Sequence, residues 1–443
     1  MLNSFLTFIN QHKLNLNNQY TLLTVSGGVD SVVMLNLFYK AGFKAAIAHC
    51  NFGLRGEESN SDEQFVRELG QKYGFPFFVE RFDTKNYASE QAISTQMAAR
   101  DLRYAWFEKI REENSIQWIA TAHHANDNIE TALLNLTRGT GIAGLHGIAV
   151  QNKSILRPLL FATKEEILSY ANESKLTWRE DKSNDSLDYK RNVIRKSVVP
   201  VLKELNPSLE STFMLTSERL RAGDELLSGF LKEWEKTVLE KKEDEMHISI
   251  EGLLEADNPI YRLWFILDSY GFSYTQTSQI VKSFDALSGK VFHSDTHKLL
   301  KDRDVLILKK HSTTEMPAEL IVSGLIGEYS FADRRLCFEY VDSWTIDKDT
   351  NVIYLEESKL KLPLVVRQWK KADNFQPFGM NGKSKKVSDL LIDLKLNRFE
   401  KENVHVLVNG NAQIIWVIGL RSDDRFKLNE KSSAIIKLTN SKL

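Results

Sequence analysis

The run Ser26-Gly27-Gly28-Val29-Asp30-Ser31 most constrains what this chain can fold into, because it lies where a buried strand hands over to a helix. Thr21-Leu22-Leu23-Thr24-Val25 reads as the strand, and Val32-Val33-Met34-Leu35 with Leu37 and Phe38 begins an apolar helix. Two glycines let the backbone approach an anion with no Cβ in the way. Successive amides at a helix N-terminus add hydrogen-bond donors and partial positive charge. Ser26 and Ser31 contribute hydroxyls, and Asp30 is placed to hold a metal or to cap the helix. No Gly-Lys-Ser/Thr follows, so this is not a Walker loop. A glycine turn before a capped helix has the same pattern, and these six residues alone leave the two readings level.

At 443 residues the chain is too long for one ordinary core, and two or three domains are expected. No uninterrupted apolar stretch approaches the roughly 20 residues of a membrane span, and the start Met1-Leu2-Asn3-Ser4-Phe5 lacks a basic secretory region. A cytoplasmic location without a membrane partner is expected. Cys50 and Cys337 are the only cysteines, which excludes a disulfide framework and any Cys-x-x-Cys zinc or redox site. The net charge of −1 conceals a split: residues 364–443 hold 15 Lys and Arg against 8 Asp and Glu. This segment is either an ordinary solvated surface or a basic face for phosphates.

Strand-like runs at 44–49, 77–81 and 118–121 alternate with helical patterns at 62–73, about 91–114 and 126–137. Such alternation predicts an α/β fold, a parallel sheet with helices on both faces, whose functional residues collect at the carboxyl ends of strands. His49, Asn51, His123 and His124 follow strand ends on the same edge as Ser26. The alternation stops near Pro200, where a long helical pattern runs from Ser208 to Lys241; shorter helices follow near 260–270 and 276–287, then a hairpin across 290–308. The polar run His311–Pro317 is the best linker. The expected parts are a catalytic domain over 1–207, a mainly helical one over 208–311, and a small strand-rich α+β one over 318–443.

Several constellations carry chemistry. In Ala122-His123-His124-Ala125-Asn126-Asp127-Asn128-Ile129-Glu130, Asp127 and Glu130 share a helical face, suited to a cation, an amine or base catalysis. Acids that only answer a helix dipole would look the same. Arg100, Arg103 and Tyr104 lie on the long helix, Arg138 opens the glycine-rich stretch Arg138–Gly144, and Arg157-Pro158-Leu159-Leu160 follows. Trp178-Arg179-Glu180-Asp181 with Asn184 precedes Tyr189-Lys190-Arg191-Asn192-Val193-Ile194-Arg195. There Arg191 and Arg195 share a face suited to phosphate, or to nothing beyond a charged surface.

The loop resembles the pyrophosphate loop of enzymes that adenylate an oxygen and release pyrophosphate. The order of the pieces is more specific. The glycine loop, His49-Cys50-Asn51-Phe52-Gly53-Leu54-Arg55-Gly56-Glu57-Glu58-Ser59, the Arg100–Tyr104 stripe, the double-histidine helix, the Arg138 loop, Arg157–Leu160 and Arg191–Arg195 together resemble the tRNA(Ile)-lysidine synthetase family. So do Lys370–Phe378, Lys385-Lys386-Val387-Ser388-Asp389, Ile414–Arg421 and Arg425-Phe426-Lys427 near the other end. The family often has His where Phe52 stands and a double Asp where Asn126-Asp127 stands.

The resemblance implies an ATP-dependent ligase that adenylates the carbonyl oxygen on carbon two of the wobble cytidine in an isoleucine tRNA with a CAU anticodon. Free L-lysine then attacks, giving lysidine, AMP and pyrophosphate. Expected ATP ligands are Ser26, Gly27, Gly28, Val29, Asp30, Ser31, His49, Asn51 and Arg138, with Mg²⁺ near Asp30. Asp30, Arg103, His123, Asp127 and Glu130 are the expected catalytic set. Arg55, Arg100, Arg191, Arg195, Lys385, Lys386 and Arg421 are assigned to tRNA phosphates or lysine. An amine of pKa about 10.4 must shed a proton before it attacks, so a carboxylate or histidine has to lie near it. Partners are the tRNA, lysine and ATP, and a homodimer is left open. Trp369, Phe375 and Phe378 are either base-stacking or core residues.

Overall fold

The computed structural model describes residues 1–54, 56–180, 190–311, 319–345, 349–429, 432 and 434–443. Arg55, Asp181, Asn184, Tyr189 and most of the expected linker lie outside them. The chain divides into two compact units, Met1–Gly229 and Phe230–Leu443.

In the first unit, strands β1 (Thr21–Thr24), β2 (Ala45–Asn51), β3 (Phe77–Arg81), β4 (Trp118–Ala120), β5 (Gln151–Asn152) and β6 (Ile155–Leu156) form one sheet in the order β3-β2-β1-β4-β6-β5. All neighbours are parallel except the edge pair β5–β6. The helices are α1 (Leu2–Gln11), α2 (Val29–Lys40), α3 (Glu57–Tyr73), α4 (Thr84–Glu90), α5 (Thr95–Glu113), α6 (Ala125–Arg138), α7 (Ile142–Leu145), α8 (Lys164–Glu173), α9 (Lys190–Val193), α10 (Val199–Leu205) and α11 (Leu209–Val238), the last running into the second unit. Helix α3 begins five residues before the expected start, and the helix expected from about 91 is α5, which starts at Thr95 behind its cap Ser94, with the separate short helix α4 before it.

The chain leaves β1 for β2 on one side and later returns as β4 on the other. The crevice between the carboxyl ends of β1 and β4 is therefore a topological switch point, where open α/β sheets bind ligands. Helix α2 is buried at Val29 and from Ser31 through Phe38, which is why its sequence is mostly apolar round its circumference and shows little amphipathic pattern. Its packing against Leu23, Ile47 and Phe5 makes the loop before it a rigid platform.

In the second unit, the helices Ile250–Leu254, Pro259–Leu267 and Tyr274–Val281 pack on a five-stranded antiparallel sheet. The expected hairpin supplies three of its strands; Leu239–Lys241 and Glu245–Ser249 add the rest. Beyond residue 318 come further antiparallel sheets of five and four strands, with buried Trp416, Phe338 and Leu438 in their core. Among the described residues, no helix is long and apolar enough to cross a membrane.

Candidate active site

The loop after β1 is shaped by its glycines. Gly27 has φ of +96°, and a Cβ there would also touch Phe65 and Val66 at 3.5 Å. Gly28, extended, caps α2. The Gly27 amide donates to Ser31 Oγ at 3.2 Å and the Gly28 amide to Ser26 Oγ at 3.3 Å, while the Ser31 hydroxyl donates to the Gly28 carbonyl at 2.8 Å. The two serines thus cover donors that an anion would take, and hydroxyls rotate to suit a new partner.

His49 and Asn51 support this platform from beneath. Buried His49 donates from Nδ1 to the Val25 carbonyl at 2.8 Å, and burial lowers its pKa. Asn51 donates to Glu63 at 3.1 Å and accepts from the Gly53 amide at 3.0 Å. Glu63 is in turn gripped by Arg81 and Arg67 and bonded by Asn51, which together outweigh its burial and hold its carboxyl down at about 2.

Two cavities open at the switch point, and Asp30 lines both. The first, about 270 Å³, takes Ser26 and Ser31 from the loop, Arg103 and Tyr104 from α5, and His123 from the end of β4. The Arg103 guanidinium lies over the Phe52 ring at 5.1 Å, and Phe52 stacks on Phe82. The aromatic residue at position 52 thus positions an arginine rather than supplying a polar ligand. His123 pairs with the Thr121 hydroxyl at 2.8 Å. Burial pushes its pKa down to about 4, with Arg157, Arg191 and His124 adding to the effect and Asp127 opposing it, so it is neutral at pH 7. Burial drives the Cys50 thiol up to about 12, which leaves it without thiolate character.

The second cavity, about 780 Å³, lies among α6, α8 and α10. Lys164 meets Asp30 at 2.5 Å, and His124 Nε2 stands 3.5 Å from Asp127 and 3.9 Å from Asp30. Asp127 also accepts the His124 amide at 3.0 Å, closing the first turn of α6. Burial raises the Asp127 pKa, but His124, Arg191, His123 and that amide together hold it below the ordinary carboxylate range. Arg191 bonds Asp127 and Glu130 at 2.8 Å each, and Arg195 bonds Glu130 at 2.6 and 3.0 Å. Both Glu130 oxygens are therefore occupied. The shared face expected of Arg191 and Arg195 exists, across a turn that widens to a π-helix over Ile194–Val198, but it addresses these acids.

Asn126 has a different task from its neighbour. Its side chain donates to Glu210 at 2.7 Å and accepts the Lys164 amide at 2.9 Å. Buried Glu210 pairs with Lys203 at 2.8 Å, and Lys203 with Glu165 at 2.9 Å. Lys164, Lys203 and Glu210 were missed by sequence reasoning. They stand on three separate helices, and no local spacing links them.

Arg100 is exposed over the Tyr104 ring, and Arg138 is exposed at the end of α6; neither lines the two cavities. In the second unit, Lys385 pairs with Asp393, while Lys386 and Arg421 are exposed. Phe375 is fully buried and Trp369 donates to the Lys401 carbonyl at 2.7 Å, leaving Phe378 as the exposed aromatic of the three. Among the described residues, no group of three or more His, Cys, Asp or Glu side chains is arranged to hold a metal ion.

Comparison with known proteins agrees along the chain. Residues 2–202 match the PP-loop domain family, 241–311 the TilS substrate binding domain, and 364–438 the TilS substrate C-terminal domain. The tRNA(Ile)-lysidine synthase of Parabacteroides distasonis is 38% identical, covering 98% of this chain and 99% of its own length. That of Bacillus subtilis is 31% identical over 94% and 92%. Among solved structures, the U34-tRNA thiolase NcsA of Methanococcus maripaludis aligns with a TM-score of 0.40 and 16% identity, over 49% of this chain and 80% of that one.

Proposed function

We propose that this chain, which belongs to the tRNA(Ile)-lysidine synthase family, splits its reaction between the two cavities that meet at Asp30. The family makes it a tRNA-modifying ligase that uses ATP at a PP-loop. In the finer reading, ATP enters the first cavity and adenylates the carbonyl oxygen on carbon two of the wobble cytidine in an isoleucine tRNA with a CAU anticodon. The ε-amine of free L-lysine attacks that carbon from the second cavity, and AMP leaves. Asp30, lining both cavities, carries this reading because it puts one carboxylate beside both half-reactions.

Val29 lies at the start of α2, and the amides of the Ser26–Ser31 loop and the N-terminus of that helix receive the pyrophosphate. Arg103, fixed over Phe52, answers charge on the phosphates. Mg²⁺ usually needs only one or two protein carboxylates besides phosphate, so Asp30 suits it as a single protein ligand. When bound it neutralises charge on the leaving pyrophosphate. Asp127 receives the lysine amine; Glu130 positions it by holding Arg191 and Arg195. His123, neutral and bonded to Thr121, presents its other nitrogen to the first cavity. Arg100 and Arg138, both exposed, lie on the outer path of the tRNA, and Arg55 is assigned to its phosphates by the family resemblance alone. Lys385, Lys386 and Arg421 belong to a basic tRNA-binding part over 318–443, with a mainly helical part over 208–311 before it. The reaction takes place in the cytoplasm.

Pyrophosphate and AMP release, measured separately with ATP, lysine and unmodified isoleucine tRNA, test this reading. Pyrophosphate should need ATP and tRNA, and AMP should need lysine as well. Release of both without lysine overturns it.

A further inference from the structure

A cleft of about 340 Å³ in the second unit takes no part in the reaction above, although its volume is that of a small-ligand site. Four rings line it: Trp344 and Tyr354 from one stretch of chain, Phe378 and Phe426 from another. Phe426 is buried, but Trp344 is 37% exposed and Phe378 38%. Among the described residues no two of these rings pack on each other, so their faces are open to a further ring. The backbone that carries Phe378 is nonetheless fixed. Its amide donates to the Ser422 carbonyl at 2.9 Å, and the Asp424 amide donates to the Gln376 carbonyl at 2.6 Å. Buried Asp423 accepts the Gln376 amide at 2.8 Å and the Arg425 guanidinium at 2.9 and 2.7 Å, so its charge is neutralised within the fold. Lys427 follows Phe426. Among the described residues its ammonium bonds Asp424 alone, at 3.2 Å, which leaves two donors.

We propose that this cleft takes an unpaired nucleotide from the 3′ end of the tRNA, its base stacked against Trp344 and Phe378 and its phosphate met by Lys427. This rests on tRNA being the substrate. The cleft offers ring faces, and a base shows its own face only where it has left the duplex stack. A stem is thereby excluded, because each of its base pairs is covered by its neighbours. Among the unpaired bases of a tRNA, those of the anticodon loop go to the first unit in the reading above, and those of the other loops are mostly held in tertiary contacts. The 3′ strand is free. Phe378, Phe426 and Lys427 belong to the stretch 364–438 within the Lys- and Arg-rich end of the chain, whose field draws a phosphate backbone. An apolar peptide would use the rings and gain nothing from that charge. Rings held on fixed backbone also lose little freedom when a base arrives.

The full-length protein is titrated with unmodified isoleucine tRNA that carries 2-aminopurine, a fluorescent adenine analogue, in place of its terminal 3′ adenosine. Stacking quenches this base, so the native chain should dim it several-fold on binding. Trp344→Ala and Phe378→Ala should each remove most of the quench and weaken tRNA binding about 10-fold, with the salt dependence unchanged because no phosphate contact is lost. Phe378→Tyr should keep both. Lys427→Gln should do the reverse, keeping most of the quench while the log–log salt dependence becomes shallower by about 0.7. For tRNA trimmed of its unpaired 3′ nucleotides, the native and Phe378→Ala chains should bind alike. If Phe378→Ala instead loses as much affinity for trimmed tRNA as for intact tRNA, the ring acts on the fold and the proposal is overturned. Quenching of an analogue placed in a loop, with none at the 3′ end, overturns it as well. If the native chain binds no tRNA, the reading of tRNA as substrate fails first, a result distinguishable from both.

Discussion

The acid–base cluster around Asp127 and the basic segment 364–443 both concentrate charge, but they hold it in opposite ways. In the first, the acids are buried and the arginines half-buried, and each is paired within 3.5 Å across α6, α9 and the turn after it. In the second, Lys386 and Arg421 stand exposed on the two-residue strands Lys385–Lys386 and Arg421–Ser422. Charges in a low-dielectric cluster interact strongly and lose much when one partner goes; exposed ones act through the summed field and are screened by salt. The cluster should therefore be sensitive to single changes, and the basic segment graded.

The largest expected effect is at the shared residue. Asp30→Ala should lower both pyrophosphate and AMP release by about 1000-fold, read in single-turnover assays, because it removes a group from both half-reactions. Retention of either would separate the cavities. Next is Glu63→Gln, beneath the platform. Glu63 has its carboxyl held at about 2, below its ordinary 4.5, so its stabilisation is full above pH 4.5 and lost as pH falls towards 2. The substitution should cost about 2 kcal/mol at pH 7 in denaturant unfolding, and the deficit should close between pH 4.5 and 2.

His123 should leave a smaller signature of the opposite residue type. Buried neutral with a pKa of about 4, it binds no proton between pH 6.5 and 4 while the unfolded chain does, so stability should fall through that window. His123→Asn should flatten the slope. The smallest effects belong to the basic segment. Lys386→Ala and Arg421→Ala should each weaken tRNA binding a few-fold and make the log–log salt dependence shallower by about 0.7 to 0.9. A 100-fold loss from either would mean that this segment is built like the cluster.

What was legible in the sequence follows the same division. The loop, the strands and helices beside it and the catalytic order of motifs are local, and Ser26, Asp30, Arg103, His123 and Asp127 stand where their strand ends and helix faces put them. Arg191 and Arg195 were legible as a pair, but their partners lie more than 60 residues earlier on α6, and nothing local distinguishes an arginine facing phosphate from one facing Glu130. His49 and Asn51 sit at the expected edge, yet turn to Val25 and Glu63. The sheet strands at 239–249 were hidden because the helical period of α11 runs directly into them.

The division of the reaction at Asp30 is tested most directly by Asp127→Asn. Pyrophosphate release with ATP and tRNA should stay within a few-fold of the native chain, while lysine-dependent AMP formation falls by about 100-fold or more. An equal loss of both, in a variant that unfolds at the same denaturant concentration as the native chain, would contradict it.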